Sequence, residues 1–223
     1  MKYFKREFID FFNKLSGNNN KEWFHAHKSD YGNFVKTPFE KFISDFIAKI
    51  SMHENLNGIT ARDCILRINR DIRFSNDKSP YNLYVTAFVS QGGRKDKTIP
   101  GIFLRFAPDM VGIMGGCYGP SNEQINYIRS YIADNLSEFK ACYTNTNFTE
   151  KFDSIKGEAI KRIPEEIKII SEQEKLILNK QWYFVTEQKA SILFSANLLD
   201  EIMSYYYAAK PLNDFLKQAI KVN

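Results

Sequence analysis

Residues 102–117 read Ile102-Phe103-Leu104-Arg105-Phe106-Ala107-Pro108-Asp109-Met110-Val111-Gly112-Ile113-Met114-Gly115-Gly116-Cys117. Two apolar runs rich in strand-forming residues flank Pro108-Asp109, a turn pair. The pattern predicts strands over 102–107 and 111–117. A connection this short joins only antiparallel neighbours. Upstream, residues 82–90 form another such run, closed by Gly92-Gly93. Further upstream, residues 65–74 alternate with period two. Leu66, Ile68, Ile72 and Phe74 share one face, with Arg70 as the exception, and Arg67, Asn69, Asp71 and Arg73 share the other. Residues 182–186 supply a candidate fifth strand. Consecutive strands with short links predict an antiparallel meander.

Helical periodicity brackets the meander. Phe4, Phe8, Phe11, Phe12 and Leu15 recur at helical spacing. The run Ser16-Gly17-Asn18-Asn19-Asn20 is suited to end that helix and cap the next. Trp23, His27, Tyr31 and Val35 lie four apart. Thr37-Pro38-Phe39-Glu40 has the form of a capping box with proline at the first helical position, predicting a fresh helix start. After the strands, Ser121 and Gln124 form a second box. Ser171 with Glu174 predicts a short helix start. Leu198 to Tyr206 begin a closing helix that Lys210-Pro211 should kink or break before it resumes at Leu212. The expected fold class is α+β, a central antiparallel meander sheet flanked by N-terminal and C-terminal helices, in a single domain over residues 1–223.

Composition agrees with an ordinary globular chain. It has 223 residues, 43% hydrophobic and 26% charged, which excludes disordered, collagenous and coiled-coil classes. Nineteen Phe and twelve Tyr predict a ring-rich core. Cys64, Cys117 and Cys142 are an odd number at wide spacing and match no zinc or redox pattern. There is no secretory-type apolar stretch at the start and no run long enough to span a bilayer, so no membrane partner and a reducing, cytoplasmic location are expected.

Charge is placed unevenly. Between Arg62 and Arg105 stand nine basic and four acidic residues, which account for the whole net charge of +5. On a strand face, Arg67, Asn69, Asp71 and Arg73 would stand in a row about 7 Å apart. Two guanidinium forks suit carboxylate or phosphate. Asp77, Lys78 and Tyr81 on the following loop are placed to fold over that row, with Arg105 on a nearby strand. Asp71 and Asp77 are then carboxylates available for acid–base work or for a metal. The competing structural reading is a salt-bridge ladder covering a sheet. Arg70, on the apolar face, is expected to pair with a buried carboxylate or a helix end. His25 and His27 sit about 200° apart around a helix and cannot share a metal. No metal site is predicted, and the residues indicate no particular cofactor. Gly112, Gly115, Gly116 and Gly119 precede a helix start, which admits either phosphate contact or close packing.

The block Arg67-Ile68-Asn69-Arg70-Asp71-Ile72-Arg73-Phe74, followed by Asp77-Lys78-Ser79-Pro80-Tyr81, resembles the signature of a family catalogued as domain of unknown function 2461. So do Asn18 to Phe24 with His27-Lys28 and Tyr31, Pro38-Phe39, Pro100-Gly101, Gly115 to Pro120, Ile128-Arg129 and Pro211 to Leu216. Glu165-Glu166 stand where that family tends to have Lys-Gly. The resemblance implies an α+β fold over nearly the whole chain and supplies no activity and no catalytic residues.

Three functional classes remain. The mixed signs and tight spacing favour a protein that binds or acts on a small anionic or phosphate-bearing ligand. The ligand-binding candidates are Arg67, Asn69, Asp71, Arg73, Asp77, Lys78, Tyr81 and Arg105. A nucleic-acid-binding module ranks second. A structural or interaction protein, its polar row consumed by internal pairs, ranks third.

Overall fold

The computed structural model describes residues 1–221. The first helix, α1 (Arg6–Gly17), buries Phe8, Phe11, Phe12 and Leu15 on one stripe. Asn20 then caps α2 (Lys21–Ala26) by accepting the Trp23 N–H at 2.8 Å. The chain after α2 departs from the fresh start expected at Thr37. A short α3 (Lys28–Asp30) runs through a π-helical stretch (Tyr31–Lys36) into α4 (Thr37–Ile50) without leaving helical dihedrals. Thr37 makes no cap; its N–H reaches back five residues to the Gly32 carbonyl. Pro38 has no N–H to donate, and the wider π turn accommodates its ring where a regular α-turn would clash.

A one-turn helix, α5 (Ala61–Cys64), leads to the segment whose alternation predicted a strand over 65–74. That segment is extended but is no regular strand. It makes isolated bridges at Ile65 to Ala87 and Asn69 to Tyr81. Four residues separate the bridges on one side and six on the other, so no continuous ladder can form between them. Beyond Asn69 the partner chain carries Pro80, which cannot donate. The chain then turns, with Ser75 N–H bonded to Ile72 O, and Phe74, expected on the apolar face, is 95% exposed.

The sheet itself has four strands in the order β1-β2-β3-β4: β1 (Val85–Val89), β2 (Gly101–Phe106), β3 (Met110–Cys117) and β4 (Trp182–Lys189). β2 and β3 form the expected hairpin, closed by Ala107 N–H to Met110 O at 2.9 Å. Between β3 and β4 come α6 (Asn122–Asp134), α7 (Leu136–Thr144), α8 (Thr146–Phe152) and α9 (Glu165–Gln173). Ser121 and Gln124 make the reciprocal capping box of α6. Ser171, by contrast, lies inside α9, and Glu174 caps the 3-10 turn after it. The last helix, α10 (Leu198–Lys221), continues through Pro211 rather than breaking there. The fold is α+β, an antiparallel meander flanked by N- and C-terminal helices.

The chain clusters into two compact units, neither of them a continuous stretch. The first comprises Met1–Arg94, Phe103–Ile113 and Glu187–Met203; the second comprises Lys95–Ile102, Met114–Thr186 and the chain from Ser204. Each has a ring-rich core. In the first, Phe106 is ringed by Phe4, Phe39 and Phe42, with centroids 5.1 to 5.6 Å away. In the second, Phe184 packs between Phe148 and Phe152. Two glycines of β3 serve this packing. A Cβ on Gly115 would lie 2.4 Å from the Phe184 ring, and Gly116 has φ +88° with the Trp182 carbonyl where its Cβ would be. Among the described residues, no helix is long and apolar enough to cross a membrane.

Candidate functional site

The first unit contains a cleft of about 480 Å³, within the size range of small-molecule sites. Its walls come from three places. Ser16 and Asn19 belong to the end of α1 and the turn after it. Arg70, Asp77, Ser79 and the run from Tyr81 to Tyr84 come from the bridged segment and its loop. Arg105 lies on β2, with Ala107, Pro108 and Asp109 following at the hairpin.

Asn19 pins these parts together. Its side chain accepts the Tyr81 N–H at 3.1 Å and donates to the Tyr81 carbonyl at 2.9 Å, substituting for a strand neighbour. Tyr81 is buried, and its ring stacks on Phe24 at 4.0 Å. Arg70 pairs with Asp77 and donates to the Ser79 carbonyl at 3.1 Å. The arginine therefore finds a carboxylate, as expected, but a largely exposed one. Hydrogen bonds from Ser79 and then from Arg70 hold the Asp77 carboxyl down at about 2.

Arg105 is different. Its guanidinium lies over the Tyr84 ring, 4.1 Å from the centroid. Its Nε is buried without an acceptor, and among the described residues the side chain makes no hydrogen bond or ion pair. A cation on a cleft wall with unspent donors is a ready anion contact.

The structure places the sequence-predicted residues in two groups. Asp77, Tyr81 and Arg105 line the cleft. Arg67, Asn69, Asp71, Arg73 and Lys78 do not, because the strand that would have aligned them is absent. Asp71 instead accepts from Arg73 Nε at 3.0 Å, Nη2 at 2.7 Å and the Arg73 N–H. Those bonds, helped by the nearby Arg67, lower the Asp71 carboxyl below its ordinary value. Lys78 Nζ donates to the Ile72 carbonyl at 3.0 Å. Arg67 and Asn69 are exposed. Sequence reasoning missed Arg70, Tyr84, Asn19 and Asp109 as cleft residues. The misplaced charge of Arg70 in an apolar phase was the usable signal; nothing local marked Asn19 or Tyr84.

A family model described as a conserved hypothetical protein, DUF2461, matches residues 7–215. The chain belongs to the DUF2461 family. A search of curated proteins returns no match. All the cleft residues of this DUF2461 protein fall within the matched region.

The bonds from Ser79 and Arg70 keep Asp77 an anion at neutral pH. All three cysteines are free and buried; burial pushes Cys64 and Cys117 up to about 12 and Cys142 to about 11, which suppresses the reactive thiolate. His27 stacks on Trp23 and bonds its carbonyl, away from the cleft lining. Among the described residues, no group of three or more His, Cys, Asp or Glu could hold a metal ion.

Proposed function

We propose that this DUF2461 protein binds a small anionic or phosphate-bearing ligand in the cleft of its first unit. Arg105 is the primary contact. Tyr84 holds the guanidinium in place, and Arg70, already tied to Asp77, adds positive potential beside it. The observation that carries the reading is the unpaired Arg105 on the cleft wall. An arginine kept there at the expense of a buried, unbonded Nε gains its compensation when an anion accepts from the rest of the fork. Asp77 and Asp109 would limit the net attraction and select among anions. The free, buried thiols suit a reducing, cytoplasmic location.

The test is crystallographic. Crystals soaked in inorganic phosphate, and separately in a nucleoside monophosphate, should show density bonded to the Arg105 guanidinium. Density confined to the exposed pair Asp71–Arg73, or none in the cleft after both soaks, would refute the reading.

A further inference from the structure

We propose that a basic ridge outside the cleft, running from Arg62 to the loop tip at Phe74, binds single-stranded nucleic acid, with Phe74 as its stacking ring. The proposal does not rest on the cleft reading.

Phe74 is 95% exposed, and the loop that carries it is tied at several points. Lys78 Nζ bonds the Ile72 carbonyl, the Ser79 N–H bonds Asp77 at 2.9 Å, and Arg73 pairs with Asp71. An aromatic side chain held out by an already ordered loop loses less entropy on binding.

The charges along the segment are only partly cancelled. Arg70 and Arg73 have carboxylate partners, Asp77 and Asp71. Arg62, Arg67 and Arg94 are exposed, and among the described residues none of them pairs with a carboxylate. Lys78 bonds a neutral carbonyl, which leaves its charge intact. Arg94 donates to the Arg62 carbonyl and to the Ile65 carbonyl at 2.6 Å, so it stands against the start of the same segment. Four cations without a bonded carboxylate, Arg67 standing near Asp71 and Arg62 beside Asp63, therefore lie along or against this segment, whose tip carries an exposed ring with the Arg73 guanidinium 5.8 Å from its centroid.

That layout selects the partner. A duplex needs a helix or two-stranded ribbon to enter its groove, and this segment offers one helical turn and irregular extended chain. A lipid surface would be met by cations gathered around several apolar tips. Here there is one ring, and the cations are spread back along the chain. Unpaired bases present π faces to a ring while their phosphates follow a line of cations.

The experiment is fluorescence anisotropy with the full chain and a fluorescein-labelled twenty-nucleotide oligo-dT, from 50 to 200 mM salt. Four phosphate contacts at about −0.7 each predict a log–log salt slope near −3, moving to about −2 in Arg67→Ala. Phe74→Ala should weaken binding about five- to a hundredfold, while Phe74→Trp keeps affinity and has its fluorescence quenched by the oligonucleotide. Circular dichroism checks that each variant is folded. The proposal is overturned by no binding at 50 mM salt, by folded Phe74→Ala binding like the parent, by preference for the matching duplex, or by Phe74-dependent binding to phosphatidylserine vesicles but not to oligo-dT.

Discussion

Replacing Gly116 by alanine tests the packing of β3 against β4 most sharply. Gly116 sits at φ +88°, a region that costs an L-residue about 1–2 kcal/mol. The added Cβ would lie 2.1 Å from the Trp182 carbonyl oxygen and 2.8 Å from Tyr183 Cα, so backbone rather than a flexible side chain must move. Any such shift disturbs the buried bond from Gly116 N–H to Asn213 Oδ1 at 2.8 Å, and losing it costs about 1–3 kcal/mol. The two costs together come to about 2–5 kcal/mol. For a chain of this size that lowers Tm by about 5–15 °C. Differential scanning calorimetry measures it, with Gly119→Ala as control, because nothing lies within 4 Å of a Cβ there. A Gly116→Ala midpoint within about 1 °C of the parent would refute the requirement for glycine at this close approach.

Arg129 donates from Nε to the Ile177 carbonyl and from Nη2 to those of Leu178 and Asn179, closing the 3-10 turn before β4. Arg129→Ala should cost about 2–4 kcal/mol in urea unfolding and Arg129→Lys less; equal losses would mean the fork geometry is irrelevant. Asp77 is held below its ordinary 3.8, so its contribution to the loop is present above that value and is lost as pH falls towards about 2. The Ser79 amide should lose hydrogen-exchange protection over that window, and Asp77→Asn should abolish the dependence; protection unchanged down to pH 2 would contradict it. We propose further that the chain unfolds as a single domain. Deleting α10 from Leu198 removes the buried Leu198, Ile202, Tyr206, Leu212, Phe215 and Leu216, and the truncated chain should lose its cooperative melt. A parent-like transition would refute this.

The elements legible in the sequence were those whose local chemistry agreed with the fold. The β2–β3 hairpin, the Asn20 cap and the Ser121–Gln124 box each arise from a few adjacent residues. The failures have a common origin in distant partners. Residues 65–74 have the alternation of a strand, but the chain they face is out of register and carries Pro80, which no local pattern reveals. Thr37 and Pro38 have the form of a helix start, yet a π turn upstream lets one helical run absorb the proline. Gly115 and Gly116 admitted two readings, and only the positions of Phe184 and Trp182 decide for packing at these two. The candidate site was half legible. Asp77, Tyr81 and Arg105 were named because they cluster with basic residues in sequence. Asn19 and Tyr84 enter through contacts that spacing does not encode.

The most direct measurement is isothermal titration of the protein with inorganic phosphate and with a nucleoside monophosphate, beside the Arg105→Met variant. Saturable binding to the parent is the predicted result, weakened at least tenfold in Arg105→Met. That variant's Tm should be equal or higher, because it removes a buried Nε that lacks an acceptor. Binding that survives Arg105→Met unchanged, or a parent that binds neither anion, would contradict the assignment of Arg105 as the anion contact.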